Sequence, residues 1–106
     1  MKLLFDQGTP VPLRDQLPHH TVETAYERGW SNLKNGDLLA HAEADEFDAL
    51  ITTDQNLPFQ QNLTGRKISV VVLLTTSWPR IKNHITLVVQ AIDNLQPGSY
   101  EEISFP

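Results

Sequence analysis

Apolar residues fall along this chain in two kinds of run. Leu3-Leu4-Phe5, Ala49-Leu50-Ile51-Thr52-Thr53 and Ile68 to Leu74 are continuous, without the alternation of a strand that keeps one face in water. Each therefore predicts a strand buried on both faces. Ile81, Ile85, Val88, Ile92 and Leu95 instead recur at spacings of four and three. That period predicts one long helix, opened by Ser77-Trp78-Pro79 and stopped by Pro97-Gly98. Weaker patterns fill the gaps. Pro10 to Leu17 predicts a helix capped by Thr9, and Thr21 to Tyr26 a strand after the break at Pro18-His19-His20. Asp37 to Phe47 predicts a Leu- and Ala-rich helix with Asn35 as its N-cap, and polar Gln55 to Gly65 a short helix or turn. Tyr100 to Phe105 alternates as an edge strand does. The order βαβαβ(α)βαβ predicts an α/β fold, a three-layer sandwich around a mostly parallel central sheet with right-handed crossovers.

Composition narrows the chemistry. A chain of 106 residues, 40% apolar and 20% charged, is expected to form a single domain over residues 1–106. It has no cysteine, which excludes disulfide scaffolds, zinc–thiolate sites and cysteine nucleophiles. The longest purely apolar run, Val70 to Leu74, falls far short of the roughly 20 residues that span a bilayer, so no membrane partner and a cytoplasmic location are expected. Eight basic against 13 acidic residues give a net charge of −5, which argues against a non-specific coat on nucleic acid. It leaves room for a nuclease, whose acids would gather around a metal. Glu43, Asp45, Glu46 and Asp48 crowd one helix end and predict a solvated acidic face. The four histidines lack metal-binding spacing, and no GxSxG, P-loop or GxGxxG occurs.

The remaining candidate chemistry is acidic. Asp6 and Asp54 each follow a predicted strand, and a parallel sheet presents both at its carboxyl edge. Asp37 opens the helix before the Asp54 strand, and is expected at the opposite edge unless the loop brings it round. Gln7, Thr53 and Asn56 flank the two aspartates and could add carbonyl or hydroxyl oxygens. Clustered carboxylates call for a cation, and oxygen ligands suit Mg²⁺.

Three segments, Leu4-Phe5-Asp6-Gln7-Gly8, Asn35-Gly36-Asp37-Leu38-Leu39-Ala40 and Thr52-Thr53-Asp54-Gln55-Asn56-Leu57, resemble the PIN-like nuclease superfamily, in particular its short bacterial branch of VapC-type and uncharacterised domains. The resemblance implies a PIN-like fold and a metal-dependent endoribonuclease using Mg²⁺ or Mn²⁺, with RNA as substrate. It further implies the toxin of a toxin–antitoxin pair, held by a cognate antitoxin. Asp6 and Asp54 carry over as metal-holding catalytic residues, and Asp37 does so with a shift of register. The chain departs from the family in Gln7, where a second acid is common, and in Asn35, which family spacing favours over Asp37. These departures support an alternative, a catalytically degenerate PIN-like protein that acts by interaction or regulation.

Arg66, Lys67, Arg80 and Lys82 hold half of the basic charge in an acid-free stretch and predict a phosphate-facing patch. A third reading is a phospho-receiver-like domain, suggested by Asp6, Asp54 and Thr75, but no lysine follows the last strand. The apolar face of the C-terminal helix is expected to be covered by this core or in a homodimer.

Overall fold

The computed structural model describes residues 1–57 and 61–106. Its strands are β1 (Lys2–Phe5), β2 (Thr21–Thr24), β3 (Ala49–Thr52), β4 (Ser69–Leu73) and β5 (Tyr100–Ile103). A 3-10 helix (Val11–Gln16) joins β1 to β2, α1 (Asn35–Ala44) joins β2 to β3, and α2 (Trp78–Asn83) and α3 (Ile85–Asp93) join β4 to β5. The expected helix or turn between 55 and 65 lies partly outside the described residues. All strand pairs are parallel, in the order β2-β1-β3-β4-β5.

Each central strand is buried on both faces, which is why its sequence does not alternate. Leu3, Phe5, Ala49, Ile51, Val71 and Leu73 face a core completed by Leu13 of the 3-10 helix and by Ile81, Val88 and Ile92. Leu4, Leu50, Val70 and Val72 face a second core with Leu38, Leu39 and Ala42 of α1. This makes three layers, helices on both sides of a parallel sheet.

The structure departs from the sequence reading in several places. The long helix is two, because His84 (φ −128°, ψ 35°) leaves helical geometry. The apolar period survives the break, since Ile81, Val88 and Ile92 reach the same core. The helix predicted from Pro10 is a 3-10 helix capped by Pro10 without a side-chain bond, because the Thr9 hydroxyl is used elsewhere. Crossover hand is not uniform. The β1–β2 and β4–β5 connections step in opposite directions along the sheet over the same face, so their hands are opposite.

The strand order reverses at β1. The chain leaves β1 toward β2 on one side and returns to β3 on the other. A crevice at the carboxyl ends of two such strands is the usual ligand position in open α/β sheets. Here those ends carry Asp6 and Thr52-Thr53-Asp54.

Candidate functional site

Parallel register sets the first contact. Leu4 lies beside Leu50 and Phe5 beside Ile51, so the next residues, Asp6 and Thr52, are neighbours at the carboxyl edge. The fully buried Thr52 hydroxyl donates to Asp6 Oδ2, and the Thr9 hydroxyl, 2.8 Å away, serves Asp6 Oδ1. Thr9 Oγ1 also lies 2.8 Å from the Ile51 carbonyl, which ties the turn after β1 onto β3. That turn needs Gly8, because a Cβ there would stand 2.5 Å from Thr53 Oγ1. Burial pushes the Asp6 carboxyl above the usual aspartate range, against the lowering effect of its hydroxyl and backbone donors.

Thr52 also holds the second aspartate. Its Oγ1 accepts from the Asp54 backbone N–H at 3.0 Å, so one hydroxyl links both acidic turns. Asp54 Oδ1 accepts from the Asn56 backbone N–H at 2.9 Å, the self-capped turn that Asp favours. Asp54 Oδ2 accepts from the Asn35 amide at 2.9 Å. Asn35 is therefore not the N-cap. Lys34 caps the helix, and Asn35, the first residue of α1, spends its amide on Asp54.

The same bond corrects the expected position of the helix start. Because α1 follows β2, its N-terminus lies at the carboxyl edge with Asp54. Asp37, two residues further on, is exposed, and only its backbone carbonyl meets a side chain, His41 Nδ1 at 2.9 Å. Among the described residues no carboxylate joins Asp37 to Asp6 or Asp54, and no three His, Asp or Glu side chains form a group able to hold a metal ion. Gln7 is exposed beside Asp6, Thr53 packs against Gly8, and the Asn56 backbone serves Asp54.

The four predicted phosphate contacts do not form one patch. Arg66 and Lys67 precede β4, at the amino edge, where the Arg66 guanidinium pairs with Glu43 and the Lys67 backbone N–H donates to Glu43 at 2.9 Å. Arg80 and Lys82 lie on α2, which follows the carboxyl end of β4. Thr75 also follows β4, but β5 ends in Ile103-Ser104-Phe105, without the lysine of a receiver-like site.

Sequence reasoning passed over Thr9, Thr52 and Gln61. The first two looked like a cap and a β-branched strand residue; their burial, 3% and 0% exposed, marks them as buried polar groups that need partners. Gln61 lies over the start of α1, where a Cβ on Gly36 would stand 2.8 Å from its Oε1. No periodicity announces that contact.

Among the described residues neither Asp6 nor Asp54 has a cationic partner. Asp6, Asp54 and Asn35 bring two carboxylates and an amide, oxygen donors of the kind a hard divalent cation takes, to one edge of the sheet. No helix among the described residues is long and apolar enough to cross a membrane. No family model matches the chain, and no curated protein or solved structure matches it.

Proposed function

We propose that this chain is a PIN-like, Mg²⁺- or Mn²⁺-dependent endoribonuclease whose site is Asp6, Asp54 and Asn35. The observation that carries the reading is the convergence of these three on one hydrogen-bonded edge at the strand-order reversal. Asp6 and Asp54 would hold the cation, and the amide oxygen of Asn35 is the third protein ligand of suitable chemistry. When bound, the cation supplies charge for a phosphate oxygen and a water acidic enough to attack phosphorus. The chain's own groups do the positioning. Thr9 and Thr52 orient the Asp6 carboxyl, and Asn35 and the Asn56 N–H orient that of Asp54. Asp37, exposed and outside this network, would reach a cation only through water. Inside a cell such an activity fits a toxin restrained by a cognate antitoxin.

One observation favours a second reading, a catalytically degenerate PIN-like interaction protein: an amide, not a third acid, stands against Asp54. Calorimetry with Mn²⁺ and Mg²⁺, with and without an RNA oligonucleotide, separates the two. Binding at millimolar or lower concentration that Asp54→Asn abolishes, with cation-dependent RNA cleavage, supports the nuclease. Equal behaviour of the two proteins in the presence of RNA supports the interaction protein.

A further inference from the structure

A second feature opens at the carboxyl ends of β1 and β2, beside Asp6 but away from Asp54. It is a cleft of about 680 Å³ walled by Asp6, Val11, Arg14, Thr24, Tyr26 and Glu27, among others. Its size falls within the roughly 300–1,000 Å³ of small-molecule sites.

Three observations point to its occupant. Tyr26 is 79% exposed and Val11 56%, the most exposed large apolar side chains among the described residues, and both line this cleft. An exposed aromatic ring is a platform on which any nucleobase can stack. Arg14 is the cleft's cation. It grips the Glu27 carboxylate with both terminal nitrogens, at 3.2 and 2.6 Å, while its buried Nε–H has no acceptor among the described residues. The same planar fork matches a phosphate. Glu27 is half exposed and Arg14 a third, so an anion arriving from solvent reaches the fork. Finally, the turn carrying Tyr26 is fixed: the Thr24 N–H donates to Glu27 Oε1 at 2.9 Å and the Glu27 N–H to Thr24 Oγ1 at 3.0 Å. Tyr26 is thus held between two braced residues.

We propose that this cleft binds one nucleotide unit, its base stacked on Tyr26 and its phosphate on the Arg14 fork in place of the Glu27 carboxylate, which turns from Arg14 while keeping its bond from the Thr24 N–H. The unit is a free mononucleotide or one residue of single-stranded RNA. Binding here needs no cation at Asp6 and Asp54 and does not depend on cleavage.

The test is equilibrium binding in EDTA of adenosine and uridine 5′-monophosphates and of fluorescein-labelled single-stranded RNA hexamers. Tyr26→Ala, at an exposed position that folding does not need, is expected to weaken binding about tenfold, within the range for base–aromatic stacking, and Tyr26→Phe to restore it. Arg14→Gln is expected to weaken it similarly, and Glu27→Gln, which releases the fork, to strengthen it several-fold. Mononucleotide binding that matches RNA binding identifies a free nucleotide, and RNA binding at least tenfold tighter identifies a strand; both sustain the proposal. Absence of binding by the unaltered protein overturns it, as does binding that Tyr26→Ala and Glu27→Gln leave unchanged. RNA cleavage that survives such a result leaves the nuclease reading standing alone. Nucleotide binding that responds to the cleft variants, in a protein that takes up no cation, leaves the cleft standing alone.

Discussion

The Asn35 amide donates to Asp54 Oδ2 at 2.9 Å, across 19 residues of sequence and from a different layer of the sandwich. The bond joins the first residue of α1 to the turn after β3, at the end of the helix where the backbone dipole favours negative charge. It also occupies one oxygen that a cation would use. Replacing the amide by an acid isolates that effect. Asn35→Asp places a like charge on Asp54 and is expected to lower stability in EDTA by about 1 kcal/mol, the scale of a lost hydrogen bond. Millimolar Mn²⁺ should reverse the loss, because a third carboxylate strengthens cation binding. Thermal unfolding with and without Mn²⁺ reads both. A loss that Mn²⁺ does not recover would count against a cation site here.

Thr52 is the joint between the two acidic turns. Thr52→Val keeps the shape but leaves the Asp54 N–H and Asp6 Oδ2 without their partner, at an expected cost of about 1–3 kcal/mol. Thr52→Ser keeps the hydroxyl and should lose less. Denaturant unfolding of the pair checks the ordering. Equal losses would mean that the methyl group matters as much as the hydroxyl, and a larger loss in Thr52→Ser that the methyl dominates.

Glu43 ties α1 to the segment before β4. Burial raises its carboxyl, but hydrogen bonds from the Lys67 and Ile68 backbone and the Arg66 guanidinium outweigh that and hold it below the usual glutamate range. A carboxyl lowered in the folded state contributes stability above its unfolded pKa and loses it as pH falls through the folded value. Glu43→Gln should therefore cost about 1–2 kcal/mol near neutral pH, the scale of hydrogen bonds to charged groups, and close to nothing in acid. Unfolding free energies of both proteins across a pH series should converge as pH falls. Asp6, raised by burial, acts with the opposite sign, favouring the folded state most below its unfolded pKa.

Glu46 adopts φ 62°, in the left-handed region, just past the end of α1. The Phe47 N–H returns to the Ala42 carbonyl at 2.9 Å and the Glu46 N–H to Glu43 at 3.0 Å, the closing bonds of a helix stop that favours glycine. Glu46→Gly is expected to stabilise the fold by about 1 kcal/mol, since glycine adopts this geometry without a Cβ penalty. Urea unfolding decides it, and a destabilised variant would show that the Glu46 side chain makes a contact worth more than the strain.

What the sequence by itself determined is the set of elements whose signal is local. Unbroken apolar runs marked β1, β3 and β4 because a strand buried on both faces has no polar side to show, and aspartates just beyond β1 and β3 follow from chain order once those strands are parallel. The period of Ile81, Val88 and Ile92 marked a face that packs on the sheet, although it could not show the break at His84, which leaves that period intact. Tertiary structure decided what depends on pairing across the chain. It turned Thr9 and Thr52 from a cap and a strand residue into partners of Asp6, and brought Asn35 rather than Asp37 to Asp54. It also partnered much of the acidic helix end from within, pairing Arg66 with Glu43 and Arg28 with Asp45 and giving Asp48 a hydrogen bond from the Lys2 backbone N–H. A hydrogen bond or ion pair is specified by two positions at once, and periodicity records only one.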